Sequence, residues 1–144
     1  MNRLKTWTST HGQNIALLLA RLWFGLVMAF SHGWSKFSDL TVFNGKVAKM
    51  GFFLPEITGT FAATSEFMGG ILIACGLFFR PAVFCLLITM LAAAFFVHAG
   101  DPFGKREYAL SFCVVCVMFL FSGPGRFSVI AWWRARRGSQ PESP

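Results

Sequence analysis

The chain has 144 residues, 55% of them hydrophobic and 18 of them Phe, with a mean hydropathy of +0.57. Charged residues make up 13%, about half the share usual in a soluble domain and too few to cover one of this size. The net charge of +7 sits mainly in tails and loops and does not point to nucleic acid. No glycine-rich phosphate loop, zinc-spaced ligand set or internal repeat is evident, and the composition implies a polytopic membrane protein of one domain.

Residues 1–14 are polar apart from Leu4 and Trp7 and are expected to form a cytoplasmic N-terminal tail. They are too long and hydrophilic for a signal-peptide n-region, and Arg21 interrupts what would be its apolar core, so the first helix is expected to stay uncleaved. That helix covers about residues 15–36 and ends beside Trp34, where an indole suits the headgroup level. Arg21, Gly25, Met28, His32 and Lys36 advance by three or four and stack on one face of a helix. A charge in hydrocarbon costs at least about 2.5–3.5 kcal/mol on insertion scales, so such a stripe should face other helices or a wet cavity.

A short helix lying in the interface is expected next, with Leu40, Phe43, Val47 and Met50 on its apolar face, Asn44, Lys46 and Lys49 away from it, and Gly51 ending it. Helix 2, about residues 57–79, carries Glu66 near mid-depth among small residues that permit close helix approach. Arg80-Pro81 reads as the following turn. Helix 3 covers about 81–99 and includes His98 near its end, and helix 4 covers about 107–122, opening on Glu107 and stopped by Gly123-Pro124-Gly125. Its apolar run is short, so some distortion or a start a few residues earlier is expected. Residues 131–144 form a basic cytoplasmic C-terminal tail, opening on Trp132, Trp133, Arg134, Arg136 and Arg137 as an interfacial anchor and ending in six disordered residues.

The expected fold class is therefore all-α: a four-transmembrane-helix bundle over residues 15–130, with the interfacial helix between helices 1 and 2. Four spans place both termini on one side, where basic residues outnumber those opposite, and the positive-inside rule makes that side the cytoplasm. His32, Lys36, His98 and Glu107 then gather near the outer face with Glu66 beneath them, and Arg21 is the deep cation expected to reach Glu66. Glu66, His32, His98 and Glu107 are the candidate catalytic, proton-relaying groups, and Arg21 and Lys36 the candidate substrate-binding ones. The competing reading makes Arg21–Glu66 and Lys36–Glu107 structural ion pairs. Cys113 and Cys116 form a CxxC inside helix 4, but they fall off the Glu107 face and are expected to pack as small hydrophobes. Cys75 and Cys85 lie at similar inner depths with no disulfide expected.

Read together, Arg21…Gly25…Ser31-His32-Gly33…Lys36-Phe37, Glu66-Phe67-Met68-Gly69-Gly70 with Gly76 and Arg80, Met90…His98, Glu107-Tyr108-Ala109-Leu110 and Gly123-Pro124-Gly125-Arg126-Phe127-Ser128 resemble the DoxX family of small four-helix bacterial membrane proteins. The resemblance covers about residues 15–130. Val129-Ile130 stands where the family pattern usually closes on an aspartate, and the CxxC is not part of the pattern. The resemblance implies a bacterial inner-membrane, redox-linked role, since members resemble subunits of quinol-linked oxidases and of thiosulfate:quinone oxidoreductases, and others are linked to oxidative-stress defence. We therefore expect a quinone or small redox substrate in an outer-facing polar pocket. Quinone is the candidate cofactor, and no metal site is expected. The lipid bilayer, a redox partner protein and a second copy of the chain are the expected partners. Proton or small-solute transport, and a non-catalytic scaffold for a soluble redox enzyme, are the alternatives.

Overall fold

The computed structural model describes residues 2–137, with side chains from Thr10 onward. The described residues are mostly helical, with no strand among them. The first helix, α1, spans Asn2–Leu26 and continues through a π-helical stretch, Val27–Gly33, into the short α2, Trp34–Phe37. The stretch expected as an N-terminal tail is thus helical from Asn2, since no proline interrupts it. The expected terminal six-residue tail lies outside the described residues.

Helix α3, Leu40–Lys49, is capped by Asp39, whose side chain accepts a hydrogen bond from the Val42 N–H at 3.0 Å. It packs against the start of α4, Pro55–Cys75. Asn44, expected to face away, instead turns inward and donates to the Thr60 hydroxyl at 3.2 Å. Helix α4 opens with Pro55 in its first turn and closes on Gly76 at φ +69°, a left-handed cap that glycine adopts without strain. The turn to α5, Phe79–Ala92, is therefore Gly76-Leu77-Phe78 rather than Arg80-Pro81. Pro81 sits in the first turn of α5, where its missing N–H has no helical partner to lose. Helix α5 runs on through a second π-helical stretch, Ala93–Val97, to His98.

Helix α6 spans Phe103–Ser122, starting four residues before Glu107, and α7 spans Val129–Arg137. Among the described residues three segments are long and apolar enough to cross a membrane: Thr10–Phe37, Pro55–Cys75 and Phe79–Val97. Helix α6 carries Lys105, Arg106 and Glu107 in its opening turns. Its remaining apolar part, 108–122, is about 22 Å long, short of the roughly 30 Å of hydrocarbon in a bilayer.

The helices pack in chain order, α1 on α4, α4 on α5 and α5 on α6. The Phe24, Phe79 and Phe119 rings meet edge to face, at 5.5 Å for Phe24–Phe119 and 5.5 Å for Phe79–Phe119. Such pairs add about 0.5–1.5 kcal/mol beyond their burial. Cys113 and Cys116 are buried in this cluster beside Val83 and Leu86, as small apolar fillers. Against α4, α1 comes to backbone contact: a methyl group built on Gly70 would sit 2.6 Å from the Gly25 carbonyl oxygen and 2.8 Å from the Ala29 nitrogen. Small residues at this spacing let two membrane helices interlock by van der Waals packing.

Candidate functional site

A cavity of about 590 Å³ opens between α3, α4 and α5. Its walls are largely Phe, Ile, Val, Met and Ala side chains, and three ionisable groups reach it: Lys36, Glu66 and His98. A mostly apolar concavity with a few convergent polar groups is the usual form of a small-molecule site. Glu66 is 2% exposed, and both its carboxylate oxygens accept hydrogen bonds from the Lys36 ammonium, at 2.6 and 2.5 Å. The Lys36 side chain is 30% exposed and also lies over the Phe43 ring. Lys36, and not Arg21, is the partner of Glu66.

The register between α1 and α4 explains that exchange. The two helices run antiparallel, with Gly33 against the Glu66–Phe67 backbone, Gly25 against Gly70 and Ala74, and Arg21 against Gly76. Arg21 thus lies ten residues along α4 from Glu66, about 15 Å away along the axis. Its guanidinium is buried and donates to the Phe127 carbonyl oxygen at 2.6 Å. Among the described residues, Nε and Nη1 of Arg21 have no hydrogen-bond acceptor. Any Cβ on Gly76 would run into Nη1, and Ser128 closes over the same point. Arg21 therefore holds the Gly123–Ser128 segment onto the α4–α5 turn, and the Asn14 side chain ties the same segment to α1 by accepting from the Arg126 N–H at 2.8 Å.

The π-helical stretch in the first membrane helix moves His32. A π turn closes i→i+5 hydrogen bonds and so carries one extra residue per turn. The side chains beyond Val27 are rotated off the face expected of an α-helix, so that Gly33 meets α4 and His32 is exposed, its ring 5.5 Å from that of Phe112. Glu107 is also exposed, and Lys36 turns to Glu66 instead of to it. His32, Glu107 and Arg21 do not line the cavity, whereas Lys36, Glu66 and His98 share it.

The second π-helical stretch delivers His98 to the rim. There the His98 Nδ1 lies 2.8 Å from an Asp101 carboxylate oxygen, and Lys105 stands 3.6 Å from the other oxygen. The hydrogen bond from His98 holds the Asp101 carboxyl below the usual carboxylate range, and the Lys105 charge adds to the effect. A carboxylate at Nδ1 favours the tautomer with its proton there, which leaves Nε2 as the acceptor. Asp101 was not among the sequence candidates, although its place three residues after His98, on a polar loop, is the signal that could have found it.

Chemically, a carboxylate dried by burial, an ammonium fixed on it and a carboxylate-oriented imidazole can bind a small group bearing both carbonyl and hydroxyl oxygens. The apolar walls suit a hydrophobic body attached to it. The comparisons with known proteins bear on this site directly, because the DoxX family model matches residues 16–99, the segment that contains Lys36, Glu66 and His98. A Haemophilus influenzae protein described as an uncharacterized protein is 38% identical over 71 residues, covering 44% of this chain. The alignment spans 53% of that relative, about half its length. No solved structure matches the chain. The matched segment holds two of the three membrane-crossing helices whole and most of the other, and the chain belongs to the DoxX family.

Proposed function

We propose that the chain is a quinone-binding component of a redox system in the bacterial inner membrane. In this reading α6 is the fourth transmembrane helix, its Lys105 and Arg106 reaching out to the headgroups from an otherwise short apolar run. Both termini are cytoplasmic, and the cavity opens toward the outer face. The supporting observation is the buried Glu66 carboxylate, held by Lys36 in the wall of an apolar cavity with His98 at its rim.

A quinone headgroup fits this donor set. The Lys36 ammonium donates to a ring carbonyl oxygen, and Glu66 accepts the proton of a quinol hydroxyl. His98 Nε2 exchanges a proton at the rim, with Asp101 fixing the ring as a positioning residue. Reduction of a quinone to a quinol takes up two electrons and two protons. The residues of this chain handle the protons, and a partner redox protein supplies the electrons. His32, Glu107 and Arg21 have no part in ligand binding in this scheme.

The test is mass spectrometry of isoprenoid quinones retained by the gently purified protein, comparing the wild type with Glu66→Gln. Quinone retained by the wild type and lost from a folded Glu66→Gln variant is the expected result. Equal retention by both, or none in a folded wild type, would overturn the proposal.

A further inference from the structure

The opposite end of the molecule holds a second cavity, of about 690 Å³, which plays no part in the quinone reading. Its walls come from Leu77 and Phe78 of the α4–α5 turn, the opening of α5, Pro124 and one side of α7. Most of the lining is apolar. Two guanidinium groups, those of Arg80 and Arg134, stand in it, and no acidic side chain does.

The two arginines differ from their neighbours in being uncommitted. Arg136 and Arg137 stack on the Trp132 and Trp133 rings, with guanidinium carbons 4.0 and 3.7 Å from the ring centroids. Arg80 and Arg134 have no ion pair, hydrogen bond or ring partner among the described residues. Arg80 is the second residue of the Phe79–Val97 span, so it sits where hydrocarbon gives way to headgroups. The two tryptophans of α7 line the same cavity, and indoles favour that level. Phe78 of the turn lines the cavity and is 69% exposed, and below the Arg80 level Phe84 presents 55% of its surface on the first turns of α5.

A free phosphate would find the guanidinium groups but leave the apolar lining wet. A zwitterionic headgroup would bring an ammonium into a site with two cations and no carboxylate to meet it. We infer that this cavity binds one anionic diacyl phospholipid, its phosphate recognised by Arg80 and Arg134, its glycerol region against Phe78 and its acyl chains running over Phe84. Guanidinium groups suit phosphate because their paired N–H donors match its oxygens. The inference is independent of what the Glu66 cavity holds.

The test is native mass spectrometry of the full chain from mixed micelles containing equal amounts of dioleoyl phosphatidylglycerol and dioleoyl phosphatidylcholine. The wild type should retain one phosphatidylglycerol in preference to phosphatidylcholine. Arg80→Gln with Arg134→Gln should lower that preference about thirtyfold, the product of two basic contacts to anionic lipid. Arg136→Gln with Arg137→Gln removes the same net charge from outside the cavity and should retain the preference. No preference in the wild type, or an equal loss in both double variants, overturns the inference. Displacement of the lipid by millimolar inorganic phosphate also overturns it, because the site would then read phosphate alone.

Discussion

Gly69 and Gly70 are adjacent in α4 and both buried, yet the structure predicts opposite responses to alanine. At Gly69 the new methyl group would meet only the Ala82 carbonyl oxygen, at 3.7 Å, an ordinary contact. At Gly70 it would lie 2.6 Å from the Gly25 carbonyl oxygen, 2.8 Å from the Ala29 nitrogen and 3.1 Å from the Ala29 Cβ. Two of those atoms are backbone of a packed helix and cannot rotate away. Restoring a normal contact requires α1 and α4 to part by about 0.8 Å, and overpacking of this kind costs typically 1–3 kcal/mol. Alanine gains about 1 kcal/mol over glycine in a helix at either position, so this gain cancels in the comparison. The two variants should then differ by about 3 kcal/mol, the upper end of the range, because both obstacles are main chain. At about 2–4 °C per kcal/mol for a chain of this size, Gly69→Ala should melt about 6–12 °C above Gly70→Ala. A thiol-reactive or tryptophan-fluorescence thermal unfolding assay in one detergent reads the difference. Equal melting temperatures would refute the backbone contact between α1 and α4, and with it the register that brings Lys36 to Glu66.

Two further predictions concern the ionisable groups. Lys36→Met leaves the Glu66 carboxylate buried without its cation and should destabilise the protein by about 2–3 kcal/mol, below the 3–5 of a wholly buried pair because Lys36 is partly exposed. Adding Glu66→Gln should restore most of that loss, and a double variant as unstable as Lys36→Met alone would contradict the pairing. At the rim, the Asp101 carboxyl should titrate below the usual carboxylate range, and His98→Gln should return it upward, as read by carbon NMR of the labelled side chain. The folded-state titration is depressed, so the contact stabilises the loop above the usual carboxylate range and is lost as pH falls through the lowered value.

Length, hydropathy and the small-residue spacing were enough to place three membrane-crossing helices and the short helix after the first, and the short apolar run of α6 left an earlier start, which the structure shows, as one of two alternatives. The sequence did not reveal where those helices meet. A helical wheel assumes a constant 100° per residue, and the π-helical stretch at Val27–Gly33 breaks that assumption in the helix bearing half of the expected site. His32 therefore left the face while Lys36 stayed on it. Likewise, the Arg21–Glu66 pairing followed from both lying at middle depth. The contacts of Gly25 with Gly70 and of Gly33 with Glu66 fix an antiparallel register in which Arg21 meets the end of α4. Gly76 could be named as a small residue, but its need to be glycine comes from a left-handed backbone and a buried guanidinium beside it, and neither is local in sequence.

Arg21 and Glu66, the two buried charged groups among the described residues, also differ in what surrounds them, and that difference bears on conduction. Arg21 is shut in by Gly76 and Ser128 and is tied to the Phe127 carbonyl. Glu66 has both oxygens satisfied by Lys36 and still borders a cavity. Between them lie Met28, Ala29 and Ile73, all at 0% exposure, and the backbone contact of Gly25 with Gly70. A chain of water needs polar partners and room for each molecule, and this stretch of the α1–α4 interface offers neither. In the proposed scheme a proton that reaches Glu66 therefore leaves toward the side from which it came. That arrangement supports exchange with a bound ligand at one face of the membrane over passage from Glu66 to Arg21, and it leaves Arg21 with the task of holding the C-terminal segment in place.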